Sequence, residues 1–334
     1  MTNSSATTIT PSREVAKVLT ATVRRAAKLA FPAVGTENLL IALSAADGGG
    51  TVLAQSSLRA KAVARSTTHW ADDDAVPDSV PDAEVTALLR EANEAAHQES
   101  ALPETGALRE CLRAAIAGAD GGVLTTTHLA LALLRAPTGR AAELFTVHRV
   151  DREQAMAAVR AAAKPEDTPA VWLLRKAGAL HGASGGGYVR WLTRLATRAG
   201  DLGGPVLLVV RNEAERHAVR AGRSAATAID LVAAVLTVDE QLTNAGLQLR
   251  PEYQSDGAAA LRAAGVDAAA LLAADVTSSA GDVDKATAGA KLVAARHEHP
   301  VVGTTHLLMA LLDNPALRGL GVDTAALRAA LSSR

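Results

Sequence analysis

The residues of this sequence that could do chemistry are a few histidines and a single cysteine. His297, Glu298 and His299 are consecutive, so two imidazoles and a carboxylate could reach one metal ion. No cysteine and no third histidine adjoins them, and a solvated turn before Pro300 explains the same residues. We favour the turn and predict no metal site.

Three further residues have side chains that could react, but their sequence contexts indicate structural roles. His128 and His306 stand at matching positions near the starts of two leucine-rich segments, and no motif pairs either of them with a serine or cysteine nucleophile. We therefore expect them to pack or hydrogen-bond at a helix start rather than to act as bases. Cys111 has helical spacing with Leu108 and Leu112, which indicates a buried small hydrophobe rather than a reactive thiol.

The sequence lacks the motifs of nucleotide-phosphate chemistry. The glycine runs at 48–50 and 185–187 have neither the G-x-G-x-x-G spacing nor a preceding strand, so they indicate a loop and a linker. A Walker A loop requires a Gly-Lys dipeptide, and the sequence has none. Because no motif brings a nucleophile, a base and an orienting group together, we predict a protein that is not an enzyme and needs no cofactor.

Length and charge are those of an ordinary globular chain. Its 334 residues are enough for two compact domains, and 34 basic against 35 acidic side chains leave a formal net charge of −1. Such a balance attracts neither nucleic acid nor an anionic membrane. The lone cysteine suits a reducing compartment, and residues 1–13 contain no apolar core of a secretion signal. We therefore expect a soluble cytoplasmic protein.

Composition and periodicity both favour helices. Aromatic residues make up 2% of the chain and alanine is abundant, which suits closely packed helices better than strands. The run at 206–210 could form a buried strand, but Pro205 fits a first helical turn and the residues that follow keep a helical period. The sequence predicts an all-α fold.

Two connectors indicate how the chain is divided. Residues 66–82 combine an acidic run with two prolines, and residues 182–187 have almost no side chains that could pack. We predict a first domain at 13–163, a linker with a short helix at 164–187, and a second domain at 188–334.

Four segments of the sequence resemble one another. Pro32–Leu43 reads PAVGTENLLIAL and aligns without a gap with Pro300–Leu312, which reads PVVGTTHLLMALL. Weaker copies lie at Val123–Leu134 and Ala226–Leu236, and the alignment makes four leucines equivalent, namely Leu39, Leu129, Leu231 and Leu307. In the stronger copies a threonine can cap the helix that follows, and this helix is apolar around much of its circumference. The repeats therefore predict central helices in duplicated pairs.

These repeats resemble the N-terminal repeat domain of Clp-type unfoldases, the regulatory module of ClpA and ClpC. In that family a His-Pro turn leads into Val-Gly-Thr-Glu-His-Leu-Leu, and a Gly-Val-Asp turn follows. His299–Leu308 departs from this pattern chiefly at Thr305, and Val34–Leu40 departs from it chiefly at Asn38. The resemblance implies two double-repeat helical modules that stand alone, without the ATPase modules of the unfoldase.

The resemblance also implies where a ligand binds. In the family, glutamates at the position of Glu37 help to bind phosphoarginine or similar basic features of client proteins. The equivalent positions here hold Thr127 and Thr305, and the weakest copy has Ile229 or Asp230 there. With one carboxylate kept, the site should favour a cationic or neutral polar peptide.

We expect a shallow ligand-binding surface at two facing helix starts of the first module, with an equivalent in the second. Its residues are Thr36, Glu37, Thr126, Thr127 and His128, and the second module's equivalents are Thr304, Thr305 and His306. A plainer explanation of Glu37 is that a carboxylate in the first turn stabilises the helix dipole.

Two functions remain open on this basis. The first is a non-enzymatic binding protein that recognises peptides, adaptors or unfoldase-directed ligands, as an adaptor or a decoy in Clp-dependent proteolysis. The second is a structural or regulatory partner that packs on an unfoldase or another helical protein and binds no client. An enzyme with an unrecognised site is a distant third. We expect protein or peptide partners, including Clp protease components, and neither nucleic acid nor a membrane.

The missing phosphate loop predicts that the purified chain does not hydrolyse ATP. Phosphate release in a coupled assay should stay at the background of the buffer. ATP turnover that follows the chain through two unrelated purification steps would contradict this prediction.

Overall fold

The fold of this chain is known from a computed structural model that describes residues 9–46, 53, 82–98, 100–182, 203–273, 281–315, 317 and 322–332. Helices dominate these residues, so the all-α prediction is confirmed. Across the same ranges, no helix combines the length and the apolar character that a membrane span requires. Contacts divide the chain into two compact units, Thr8–Thr168 and Pro169–Arg334.

The first unit is built from helices and one small parallel sheet. Two short strands, β1 (Thr10–Pro11) and β2 (Val123–Leu124), pair with each other. The helices are α1 (Arg13–Lys28), α2 (Thr36–Ser44), α3 (Ala83–Ala95), α4 (Gly106–Ala119), α5 (Thr126–Arg135), α6 (Arg140–Val147) and α7 (Arg152–Ala161).

The described residues of the second unit form helices and one isolated antiparallel bridge. Its helices are α8 (Pro169–Ala177), α9 (Pro205–Arg220), α10 (Ala228–Asn244), a 3₁₀ turn (Pro251–Tyr253), α11 (Gly257–Ala263), α12 (Ala268–Ala273), α13 (Asp282–Arg296), α14 (Thr304–Leu311) and α15 (Thr324–Ser332). The run at 206–210 lies inside α9, with Pro205 as the first helical residue, so the prediction of a helix there is confirmed.

Consecutive helices form four pairs that repeat along the chain. They are α1 with α2, α4 with α5, α9 with α10, and α13 with α14. The second helix of each pair begins three residues before the leucine that the sequence alignment makes equivalent, at Thr36, Thr126, Ala228 and Thr304. All four leucines are fully buried. The sequence repeat is therefore a repeat of helix register, with the second helix of each pair in the core.

In the first unit, each helix pair donates an equivalent backbone hydrogen bond to the other pair. Ser12, the N-cap of α1, donates its N–H to the carbonyl of Leu124 over 2.8 Å. Thr105, the N-cap of α4, donates its N–H to the carbonyl of Val34 over 2.9 Å. Each acceptor directly precedes the N-cap of the second helix in the other pair. The start of the first helix in each pair is thus bonded to the connection between the two helices of the other pair. These bonds hold the second helices of both pairs in one core.

The boundary between the units differs from the predicted linker. Helix α8 lies inside the predicted linker at 164–187, as the sequence indicated, but Val171 and Leu174 are buried in the core of the second unit. Leu180 is buried as well and forms an antiparallel bridge with Leu249. The apolar face of α8 makes residues from 169 onward part of the second unit. The predicted connectors at 66–81 and 183–187 lie outside the described residues.

Because each unit has its own apolar core, the two units should fold separately. Fragments 8–168 and 169–334, expressed alone, should each give a helical circular dichroism spectrum and a cooperative thermal transition. A fragment without a cooperative transition, when the full chain shows one, would contradict independent folding.

Candidate functional site: the starts of the central helices

The second helices of the four pairs begin with the same local hydrogen bond. In each of them the third helical residue turns back and accepts a hydrogen bond from the backbone N–H of the N-cap residue. The bonds join Gly35 N to Asn38 Oδ1 (3.0 Å), Thr125 N to His128 Nδ1 (3.1 Å), Thr227 N to Asp230 Oδ2 (2.8 Å) and Gly303 N to His306 Nδ1 (2.9 Å). His128 and His306 therefore act as hydrogen-bonding groups at helix starts, as the sequence predicts.

The start of α2 is covered by the segment that leads into α6. The Thr36 hydroxyl accepts a hydrogen bond from the N–H of Ala141 over 3.1 Å. Gly139 lies against the same hydroxyl with a φ of +97°, and a Cβ atom at this position would come within 2.7 Å of Thr36 Oγ1. A glycine is required here both by the close approach and by the left-handed backbone. Thr36 is consequently buried.

Glu37 lies against an arginine of the same covering segment. The Arg140 Nε atom is 3.9 Å from Glu37 Oε2, and the Glu37 side chain is 5% exposed. The Glu37 carboxylate is therefore buried beside a guanidinium of the chain, and its role in binding a ligand stays a prediction.

The start of α5 is filled by a carboxylate from the end of the first unit. Glu166 accepts hydrogen bonds from the N–H of Thr126, at 3.1 Å to each oxygen, and from its hydroxyl. The Ser12 hydroxyl donates a further bond to the same carboxylate. Thr126 is fully buried, whereas Thr127 and His128 are half-buried. Burial lowers the pKa of His128, and the negative charge of Glu166 opposes this shift.

Groups of the chain itself lie over the predicted surface of the first module, and ligand binding there stays a prediction. Its two helix starts do not form one open face, since Gly139 to Ala141 cover α2 and Glu166 occupies α5. Sequence reasoning missed Arg140 and Glu166 altogether. The available signal was weak, because Arg140 directly follows a glycine and Glu166 stands with Asp167 between two prolines.

The start of α14 in the second unit is covered in a similar way. Ser255 Oγ accepts hydrogen bonds from the Thr304 hydroxyl (2.9 Å) and the Thr305 N–H (2.8 Å). It also lies 2.9 Å from the Thr305 hydroxyl. A Cβ on Gly257 would come within 2.5 Å of Thr304 Oγ1, which parallels Gly139 over Thr36 in the first unit. The predicted second-module residues are thus together, and a serine of the chain lies over them.

His306 of this start also binds another histidine. Because its Nδ1 accepts the Gly303 N–H, its proton lies on Nε2, which is 2.8 Å from His299 Nδ1. Burial first, and then the nearby His299 and His297, lower the pKa of His306. Across the described residues no group of three histidine, cysteine or acidic side chains is arranged to hold a metal ion.

The start of α10 uses an ion pair instead of a covering segment. Arg223 binds both oxygens of Asp230 at 2.5 and 2.6 Å, and the Asp230 side chain is 1% exposed. The same carboxylate accepts the hydroxyl hydrogen bond of Thr227 over 2.8 Å. Ile229, the other residue considered for this position, is buried in the core. The weakest copy of the repeat therefore has a charged but intramolecular cap.

Cys111 lies outside these helix starts. It is buried in α4, and burial raises the pKa of its thiol to about 12. The thiolate is therefore scarce near neutral pH, as expected for a small apolar side chain of the core.

The lowered pKa of His306 predicts that acid destabilises the second unit. An imidazole whose pKa is lower in the folded than in the unfolded state contributes stability above its ordinary pKa near 6.5, and this contribution is lost as the pH falls below that value. His306→Asn should reduce the fall in unfolding free energy between about pH 7 and pH 5, because Asn38 shows that an amide can accept the same cap bond.

Urea unfolding of fragment 169–334 at both pH values measures this effect. His181→Asn, which removes an exposed imidazole from the same unit, is the matched control and should retain the pH dependence of the wild-type fragment. Equal pH dependence in wild type and His306→Asn would contradict the role of His306.

No family model matches the chain, and no curated protein or solved structure does so. A function for this protein must therefore be argued from its own helix starts and their contacts.

Proposed function

We propose that this chain is a non-enzymatic binding protein of the cytoplasm, similar to the N-terminal repeat domains of Clp-type unfoldases. In this role it recognises peptide segments, adaptors or unfoldase-directed ligands and acts as an adaptor or a decoy in Clp-dependent proteolysis. Each unit corresponds to one double-repeat module.

The observation that carries this proposal is the repeated start of the central helices. Four helices begin in the register of the sequence repeat, and in all four the third residue accepts a hydrogen bond from the N-cap N–H. The two pairs of the first unit are also joined by equivalent backbone bonds. Paired repeats of this kind agree with the architecture that the resemblance to Clp N-terminal domains implies.

The binding surface that we propose is centred on the start of α5. Thr127 and His128 keep part of their side chains exposed, and the groups around them are polar. Thr305, at the equivalent position in α14, is also half-buried. Glu37 is not part of this surface, because Arg140 lies against its carboxylate.

The filled helix starts favour a second candidate function. A protein that packs on an unfoldase, or on another helical protein, without binding a client needs no open peptide site. The contacts of Arg140 with Glu37 and of Ser255 with Thr305 agree with this alternative. The two functions differ in whether the amount of free client peptide changes when the chain is added.

Degradation of a fluorescent model substrate by a Clp unfoldase and its protease distinguishes these possibilities. A decoy should slow degradation and an adaptor should speed it, and either effect should decrease when Thr127→Ala removes a polar group from the start of α5. Thr146→Ala, an exposed threonine on α6, is the matched control and should behave as wild type.

A structural partner should co-sediment with the unfoldase and leave the binding of fluorescent peptides unchanged. If the chain neither alters degradation nor binds the unfoldase at any ratio, the proposed function is wrong.

A further inference from the structure

The carboxylate at the start of α5 comes from a segment that leaves the first unit. Glu166 follows Thr126 by 40 residues, beyond the end of α7, in a stretch of chain without regular secondary structure. Three donors hold its two oxygens, namely the N–H and hydroxyl of Thr126 and the hydroxyl of Ser12. Glu166 thus binds the start of α5 as a carboxylate of a separate peptide would.

The electrostatics of this place favour a negative charge. The first N–H groups of a helix carry partial positive charge, and hydrogen bonds to a carboxylate are stronger than those between neutral groups. Ser12 is also the N-cap of α1, since its hydroxyl oxygen accepts the N–H of Val15 over 3.0 Å. One carboxylate therefore connects the starts of two helices that belong to different pairs.

The rest of the segment is held to the first unit by a few contacts. The Asp167 carbonyl accepts the N–H of Arg13 over 2.9 Å, and Thr168 is buried. By contrast, residues 163–165 are exposed. The second unit begins at Pro169, so the contacts that fill the start of α5 also fix where the chain leaves the first unit.

The start of α5 differs in this respect from the starts of α2 and α14. Those two are covered by short connections inside the body of their units, with a glycine packed directly against the first threonine of the helix. At α5 the covering group is a charged side chain on a segment without regular secondary structure. Displacing it requires the loss of side-chain and backbone hydrogen bonds but not the rearrangement of a helix.

We propose that residues 163–168 are an intramolecular ligand that closes the start of α5. Glu166 takes the place of an acidic side chain from an extended partner peptide, and its release opens a site formed by Ser12, Thr126, Thr127 and His128. This inference rests on the proposed binding function and adds to it the class of ligand, an acidic peptide, and its regulation by competition. Binding of such a peptide frees the segment that joins the two units.

The competition can be measured in the full chain with a fluorescent peptide that copies residues 161–169. Glu166→Ala should bind this peptide about tenfold more tightly than wild type, because an internal competitor that is bound most of the time weakens apparent affinity by about that factor. Glu166→Gln, which keeps the size of the side chain, should also bind more tightly. A peptide with glutamine in place of its glutamate should bind neither variant.

Hydrogen exchange gives a second measurement that uses no partner. The Thr126 amide should exchange at least about tenfold faster in Glu166→Ala than in wild type, because it loses its acceptor. The amide of Leu129, which bonds inside the helix start, should be unaffected. Glu153→Gln, an exposed change of the same charge on α7, is the control and should leave both amides unchanged.

Unchanged exchange at Thr126 in both Glu166 variants, or equal peptide affinity in wild type and both variants, would overturn the intramolecular ligand. A failure of the proposed function gives a different result. In that case the chain leaves Clp-dependent degradation unaltered while both Glu166 variants still gain peptide affinity and still expose the Thr126 amide.

Discussion

The central helices of this protein begin inside it, and the N–H groups of their first turns must find acceptors there. A buried backbone N–H without a partner costs as much as a lost hydrogen bond. All four central helices meet the requirement first with the side chain of their own third residue. Much else in the structure follows from how the remaining groups of these starts are satisfied.

Small residues allow other parts of the chain to come close enough to do so. Gly139 packs against Thr36 and Gly257 packs against Thr304, where any Cβ atom would collide with the threonine. In both places the segment that follows one central helix covers the start of the other central helix in the unit. A core of alanine, leucine and valine gives the close helix packing that this arrangement needs.

The same requirement bears on the proposed function. A helix start that is satisfied by a group from elsewhere in the chain is a place where an external ligand must compete with that group. The strength of this competition differs among the four starts. Asp230 is buried and binds Arg223 in a bidentate ion pair, so separating the two would leave a charge in the core. Glu166 is half-buried on a segment without regular secondary structure, so we expect it to be the easiest of these groups to displace.

Some features of this protein are determined by the sequence alone. The all-α fold, the helix at 206–210 and the register of the four central helices all follow from residue type and spacing. Helix periodicity and capping act over a few residues, so both are visible in a short stretch of sequence. The equivalent positions of Asn38, His128, Asp230 and His306 belong to this local information, and so does the helical spacing of Cys111.

Other features depend on the tertiary structure. The partners of the helix starts come from 105 residues away for Thr36, 40 for Thr126 and 50 for Thr305. Nothing in a local pattern specifies that Arg140 lies against Glu37, because this depends on how the intervening helices fold back. The burial of α8 in the second unit was likewise undetermined, since an apolar face predicts that a helix packs but not on which unit. The sequence indicated where the helices start, and only the folded chain decided which groups lie over them.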